Sequence, residues 1–178
     1  LYMRARPKII LLKNYTDAVK YINKYRYNIL GIISDLRYPY KKNKHHLSGL
    51  KLINYLNKID SAIPIILQTT EKNIPEELKK SSIKIIQKNS TTLFKELQGF
   101  MIDELGFGDF QFRLPSGKII NKAKNIKELI TKIKKIKSDS IKFHASKNHI
   151  SNWLATRGEF KLASNFREIR KNDFKNID

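Results

Sequence analysis

Short apolar runs alternate with segments of helical spacing over the first hundred residues. One apolar run, residues 29–34, is rich in β-branched side chains, ends at Asp35 and is followed by Pro39. A run that is apolar on both faces is typical of a buried strand in a parallel sheet. Because open α/β sheets bind ligands beyond the carboxyl ends of their strands, Asp35 is a candidate functional residue. The alternative is that Asp35 only caps the turn that leads into the proline.

Three further apolar runs predict strands at residues 8–12, 63–68 and 83–87. Segments with apolar residues at helical spacing cover residues 14–25, 48–59, 76–80 and 91–104. A strand, a helix and a strand within about 30 residues form a βαβ unit with parallel strands and a right-handed crossover. Residues 1–105 are therefore predicted to form an α/β domain on a doubly wound parallel sheet.

The pattern changes at Gly106. Residues 110–113 alternate between apolar and polar side chains, a Pro-Ser-Gly turn follows, and residues 118–120 are predicted to pair back as a hairpin. Helices are predicted at residues 125–137, 149–156 and 160–169, with a break at residues 138–140. Residues 106–178 are therefore predicted to form a small α+β domain.

The composition excludes several classes of protein. The chain has 178 residues, 40% of them hydrophobic, which is enough for a core, and it has no cysteine for a disulfide or a thiolate metal site. No apolar run approaches the ~18 residues of a membrane span, and no signal peptide is visible. We expect a cytoplasmic protein, and the start at Leu1 suggests a fragment of a longer chain.

The formal net charge of +20 points to an anionic partner, which includes nucleic acid, an anionic membrane or an acidic protein. The alternative is compositional, because lysine, isoleucine and asparagine are favoured by an A/T-rich genome and lysines then cover solvated faces. We expect a protein partner or nucleic acid, and no membrane. The candidate anion-binding or partner-binding residues are Arg37, Lys41, Lys42, Lys44, Lys127 and Lys134.

Polar residues follow three successive predicted strands, namely Asp35, Thr69 and Lys88. This pattern resembles the receiver domain of response regulators, which has the CheY-like flavodoxin fold. The resemblance implies that Asp35 accepts a phosphoryl group, that Thr69 is the switch residue that hydrogen-bonds the phosphate, and that Lys88 pairs with it. A carboxylate nucleophile next to a cation is consistent with this chemistry.

The receiver pattern is incomplete in this sequence. The resemblance implies an Mg²⁺ cofactor, with Asp35 as one ligand and an acidic pair in the first βα unit, whereas Lys13 and Asn14 follow the run at residues 8–12. Aligning that run with the second strand of the family places the first βα unit before Leu1. The sheet then lacks its central strand in the order 2-1-3-4-5, and a strand donated by a second chain would make a homodimer. Asn89 also stands where the family usually has proline.

A second resemblance covers nearly the whole chain. Its segments are Arg-Ala-Arg-Pro-Lys-Ile at 4–9, Gly-Ile-Ile-Ser-Asp at 31–35, Ile-Ile-Leu-Gln-Thr at 65–69, Gly-Phe-Gly-Asp-Phe at 106–110 and residues 144–154. They are similar to the receiver-like N-terminal region of multidomain proteins, typical of Bacteroidetes, of the phosphoenolpyruvate synthase or pyruvate, phosphate dikinase type. The resemblance implies a regulatory module, with catalysis in another domain.

We therefore expect a signalling module, receiver-like and without its own catalysis, that controls an attached or partner phosphotransferase. The alternative is a basic nucleic-acid-binding module that uses the lysines of residues 118–137 and of the loop at 41–44. His144 and His149 are five residues apart without a third ligand nearby, so zinc binding is disfavoured. His149 and Trp153 are at helical spacing and are predicted to pack and form hydrogen bonds.

Overall fold

The structure is a computed structural model that describes residues 7–42, 47–81 and 83–169. The chain forms two compact units, of which the first is Ile9–Gln98 and the second contains residues 99–169. Within the described ranges, no helix is both long and apolar enough to cross a membrane.

The first unit is built on a three-stranded parallel sheet. Its strands are β1 (Ile32–Asp35), β2 (Ile65–Thr69) and β3 (Lys84–Gln87), in the order β1-β2-β3. Asp35 pairs with Gln68 and Thr69 pairs with Gln87, so the carboxyl ends of the strands lie in one row. All three strands fall within runs predicted from the apolar pattern or at their ends, and the α/β class of this unit is confirmed.

Four helices and a short 3₁₀ turn (Arg26–Asn28) begin in this part of the chain. The helices are α1 (Tyr15–Tyr25), α2 (Ser48–Ile59), α3 (Glu76–Lys79) and α4 (Leu93–Asp103). Asn14 is the N-cap of α1, and its side chain accepts a hydrogen bond from the backbone N–H of Asp17 at 2.9 Å. The buried apolar residues of α1 and α2, such as Ile22 and Leu56, pack together in one cluster, while Leu36, Leu67 and Leu78 are buried in another.

Residues 8–12 do not form the predicted strand. Ile9 is 99% exposed and Leu11 is 81% exposed, and the segment pairs with none of the three strands. The prediction was wrong because β-branched composition favours extended backbone, whereas a strand also needs a partner for its N–H and C=O groups. The predicted βαβ unit that begins at residue 8 is therefore also wrong, and β1 is an edge strand of the described sheet.

The second unit is an antiparallel hairpin covered by helices. Its strands are β4 (Phe110–Arg113) and β5 (Ile119–Ala123), and its helices are α5 (Ile126–Ile133), α6 (Ser138–Ser146), α7 (His149–Ala155) and α8 (Phe160–Glu168). The hairpin and the helices α5, α7 and α8 confirm the sequence prediction, although α5 is shorter than predicted. Alternation along β4 turns Phe110 and Phe112 into a core that contains Leu129, Trp153 and Leu154.

Helix α6 was missed because Ser138, Asp139 and Ser140 resemble a break. In the structure they form its first turn, where Asp139 lies at the positive end of the helix dipole. Ser140 is fully buried and the helix continues to Ser146. Residues that favour turns also favour the first turn of a helix, so the composition of this segment does not distinguish the two.

Candidate functional site at the carboxyl edge of the parallel sheet

The structure brings two of the predicted site residues into contact at one edge of the sheet. Asp35 is the last residue of β1 and Lys88 follows the last residue of β3. Lys88 Nζ lies 2.8 Å from Asp35 Oδ1. The strands β1 and β3 are not neighbours, so at about 4.8 Å per strand spacing this ion pair spans the end of β2, where Thr69 is located.

The ion pair is accessible to solvent, whereas Thr69 is not. The side chains of Lys88 and Asp35 are 36% and 40% exposed. Thr69 is buried, and its Oγ1 accepts a hydrogen bond from the backbone N–H of Glu71 at 3.0 Å. The backbone N–H of Lys88 donates to the carbonyl oxygen of Thr69 at 2.9 Å, which fixes the start of the loop after β3. A small anionic group can thus reach the ion pair from outside the sheet edge.

Arg37 also lies at this edge, where it is paired with an acidic residue. Its Nε lies 2.5 Å from Oε1 of Glu71. Gln87 donates from Nε2 to the carbonyl oxygen of Glu71 at 3.0 Å, so the turn after β2 is held from two sides. Glu71 was not predicted as a site residue, although an acidic residue two positions after Thr69 stands out in a strongly basic chain.

The start of α2 packs directly against the end of β1. The backbone N–H of Gly49 donates to the carbonyl oxygen of Leu36 at 3.0 Å. A Cβ atom at Gly49 would lie 2.5 Å from the carbonyl oxygen of Asp35, which is closer than carbon and oxygen approach. The absence of a side chain at position 49 therefore allows α2 to approach the backbone of Asp35 this closely, a role of Gly49 that was not predicted.

Tyr38 and Ser48 support the same region. Ser48 Oγ donates to the carbonyl oxygen of Tyr38 at 2.7 Å, and the Tyr38 hydroxyl donates to the carbonyl oxygen of Ser48 at 3.2 Å. Burial raises the pKa of Tyr38 to about 12, against the effect of a hydrogen bond with Ser34. The phenol is therefore a neutral hydrogen-bond donor and not a base.

The other basic candidates lie in different places. Lys41 and Lys42 are exposed in the loop after β1, with Lys41 Nζ 5.5 Å from the ring centroid of Tyr40. Lys127 lies on α5 and Lys134 directly follows it, both in the second unit. Lys44 lies outside the described residues.

The sheet edge does not by itself fit Mg²⁺. A magnesium site uses several oxygen ligands, usually with one or two carboxylates. Asp35 is paired with Lys88, Glu71 is paired with Arg37, and the described ranges contain no group of three or more potential metal ligands. We therefore derive no chemistry through a metal ion at this edge.

A second polar cluster is buried in the other unit. The backbone N–H of Arg113 donates to His144 Nε2 at 2.8 Å, so the proton of neutral His144 is on Nδ1. That proton is donated to His149 Nδ1 at 2.9 Å, and His149 Nε2 in turn donates to Glu104 Oε2 at 3.2 Å. Burial lowers the pKa of His144 to about 3, and the hydrogen bond from His149 is the largest cause of the lowered pKa of Glu104. The predicted hydrogen-bonding role of His149 is confirmed.

The segments at 106–110 and 144–154 pack on each other. Trp153 Nε1 donates to the carbonyl oxygen of Gly108 at 3.0 Å, and Thr156 Oγ1 donates to that of Gly106 at 3.0 Å. Arg157 donates to the carbonyl oxygen of Gly106 at 3.2 Å and stacks 3.5 Å from the centroid of the Trp153 ring. Gly106 has a φ of +81°, and a Cβ there would lie 2.5 Å from the backbone of Trp153.

The two polar clusters differ in their access to solvent. Asp35 and Lys88 are more than one-third exposed, whereas His144 is 3% and His149 is 6% exposed. The sheet edge is therefore the candidate functional site, and the histidine cluster is a part of the core. The chain matches no protein-family model, no curated protein and no solved structure.

Proposed function

We propose that this chain is a regulatory interaction module of the receiver type, with a flavodoxin-like sheet and with Asp35 as the phospho-acceptor. The observation that carries the proposal is the 2.8 Å contact between Lys88 Nζ and Asp35 Oδ1 at the carboxyl edge of the sheet. A cation at this position offsets the charge that accumulates when a dianionic phosphoryl group is added to a carboxylate. The partial exposure of both side chains gives a phosphoryl donor access to Asp35.

The chemical step is a phosphoryl transfer to a carboxylate. An oxygen of Asp35 attacks the phosphorus atom of a donor such as acetyl phosphate, and the bond between phosphorus and the acetate oxygen breaks. Acetate leaves with the electron pair of that bond, and an acyl phosphate forms on Asp35. Lys88 then pairs with the new phosphoryl oxygens in place of the carboxylate.

Thr69 couples this step to the backbone. Its hydroxyl oxygen accepts from the N–H of Glu71 in the unmodified protein, and rotation about χ1 would let it donate to a phosphoryl oxygen instead. A neutral hydrogen bond is worth about 1 kcal/mol and a bond to a charged group roughly twice that, so the rotation is favourable. Glu71 then loses an acceptor for its N–H, and its ion pair with Arg37 rearranges.

The output is a change in docking to a protein. Arg37 lies at the carboxyl edge, and the exposed Lys41 and Lys42 follow it in the loop after β1. We propose that these three residues contact an attached or partner phosphotransferase domain of the phosphoenolpyruvate synthase type. The chain itself then carries no catalytic activity toward a small-molecule substrate.

The test is the intact mass of the protein after incubation with acetyl phosphate, with Mg²⁺ or with a chelator. It is run on this chain and on the longest form that the gene encodes. We expect one phosphoryl adduct, its loss in Asp35→Asn, and its retention in Asp139→Asn, which changes an exposed aspartate of the second unit. The absence of an adduct on both forms, or its persistence in Asp35→Asn, contradicts the proposal.

The proposed switch is tested separately by the amide NMR shifts of Thr69 and Glu71. Phosphorylation should move both in the unmodified chain, and Thr69→Val, which keeps the shape of the side chain but removes its hydroxyl, should still be phosphorylated while the Glu71 amide shift hardly moves. Equal shifts of Glu71 in both proteins would show that Thr69 does not transmit the change.

A further inference from the structure

The positive charge of the second unit is concentrated on one hairpin strand and one helix. Residues 118–137 contain eight lysines and one glutamate. The other residues between 99 and 169 include six basic and six acidic ones. The whole positive excess of residues 99–169 therefore lies on β5, α5 and the short segments that flank them.

Seven of these eight lysines are exposed, and the salt bridges of the described residues include none of the seven. Lys132 is half-buried and pairs with the one acidic residue, Glu128, at 2.9 Å. The seven other lysines, which we call the lysine surface, are exposed: Lys118, Lys122, Lys124, Lys127, Lys134, Lys135 and Lys137. The segment 118–137 contains no second carboxylate that could balance them.

A codon bias toward lysine would not produce this concentration. Residues 9–98 contain sixteen basic and seven acidic residues, a net charge of +9 over 90 positions. Residues 118–137 carry a net charge of +7 over 20 positions, which is more than three times that density. The clustering thus points to a binding surface rather than to general surface composition.

The geometry arranges the lysines in two rows. Lys122 pairs with Gln111 and therefore faces away from the core side of the hairpin, and the exposed Lys124 follows directly after β5. Lys127 and Lys134 are two helical turns apart, about 10 Å along the axis of α5. The strand β5 and the helix α5, which contact each other, thus each carry exposed lysines.

We propose that the lysine surface binds the phosphate backbone of a nucleic acid duplex without reading its sequence. Residues 118–137 contain no arginine for bidentate contacts with guanine and no aromatic side chain on which an unpaired base would stack. Compact ammonium groups on flexible stems instead suit phosphate contacts, which supply sequence-independent affinity. This inference is independent of Asp35, and Asp35→Asn should leave duplex binding unchanged.

The test is the salt dependence of the affinity for a mixed-sequence DNA duplex, measured by fluorescence anisotropy. Each neutralised phosphate contributes about −0.9 to the slope of log affinity against log salt. Replacing Lys122, Lys124, Lys127 and Lys134 by glutamine should therefore reduce the slope by about 3.6. A matched control replaces by glutamine four exposed lysines of the first unit, at positions 13, 20, 58 and 80. It has the same net charge as the test variant and should change the slope by less than about 1.

Four results of this test would contradict the proposal. Equal losses in the two quadruple variants would show diffuse binding, and the absence of duplex binding at low salt would remove the proposal. Tighter binding to single-stranded RNA than to duplex would also contradict it. An acidic protein partner would compete for the same lysines, so stronger competition by polyglutamate than by duplex would overturn the proposal in favour of that partner.

Discussion

His144 and His149 face each other through their Nδ1 atoms, which lie 2.9 Å apart. The hydrogen bond between them requires one donor and one acceptor, and His144 is the donor because its Nε2 accepts from the backbone N–H of Arg113. A second proton on His144 would place its Nε2–H against the N–H of Arg113. The cluster therefore excludes the charged form of His144, in agreement with its lowered pKa of about 3.

The first prediction is that the protein loses stability in mild acid. Because the folded pKa of His144 lies below the ordinary value of 6.5, the unfolded chain binds a proton that the folded chain does not. The free energy of unfolding should fall as the pH drops below 6.5 toward 3, by at most about 1.4 kcal/mol per pH unit from this group. Urea unfolding followed at a series of pH values measures the slope.

The variant His144→Gln provides the control for that slope. Its amide oxygen can accept from Arg113 N–H, but the side chain does not titrate. The free energy of unfolding of this variant should be lower at neutral pH and should depend less on pH between 6.5 and 4.5. Below pH 4.5 the free energy should also fall because of the lowered pKa of Glu104. An unchanged slope in His144→Gln would show that other groups cause the acid sensitivity.

The second prediction concerns Gly49. The alanine Cβ would lie 2.5 Å from the carbonyl oxygen of Asp35, so Gly49→Ala should destabilise the first unit by about 1–3 kcal/mol, the usual cost of overpacking. Gly99 is also helical but has no atom within 4 Å of its added Cβ. Gly99→Ala should therefore stabilise the protein by about 0.5–1 kcal/mol. Similar effects of the two substitutions in chemical denaturation would contradict the close approach at Gly49.

The third prediction separates two kinds of cost at glycines with positive φ. The Cβ added by Gly117→Ala would lie in open space. This substitution should therefore lower the free energy of unfolding only by the cost of holding alanine in the left-handed conformation, about 1–2 kcal/mol. Gly106→Ala adds a clash with the backbone of Trp153 and should cost at least about 1 kcal/mol more. Thermal unfolding of both variants tests this order, and an equal loss would mean that α7 moves away from the loop without cost.

The fourth prediction is that the Asp35–Lys88 ion pair contributes little to stability. Both side chains are more than one-third exposed, and exposed pairs have coupling energies of about 0–1 kcal/mol. A double-mutant cycle with Asp35→Asn and Lys88→Gln measures the coupling. A value above about 2 kcal/mol would instead make the pair a structural element and weaken the case for a phospho-acceptor.

Local sequence signals predicted the strands β1, β2 and β3 and the hairpin, because buried parallel strands and alternating strands have distinct apolar patterns. They did not distinguish residues 8–12 from those strands, since pairing depends on a neighbour that the local sequence does not contain. They also missed α6, whose Ser-Asp-Ser start favours turns and helix caps alike.

The candidate site was likewise predictable only in part. Asp35 was a candidate from its position at a strand end, and the resemblance to receiver domains implied Thr69 and Lys88. Asp35 and Lys88 meet in the structure. Glu71 and Gly49 were not predicted because their roles come from the ion pair with Arg37 and from the approach of α2, which are contacts between elements. Both segments 106–110 and 144–154 belonged to one resemblance, but their packing on each other was not predicted, because 33 residues lie between them.

The packing of Trp153 against Gly108 and Arg157 has a spectroscopic consequence. Trp153 is the single tryptophan of the chain and lies fully buried in the second unit. Its indole emission therefore reports the unfolding of that unit alone, whereas far-ultraviolet circular dichroism reports the helices of both. Two different midpoints in one denaturant titration would reveal that the halves of this protein melt separately, without any label having to be introduced.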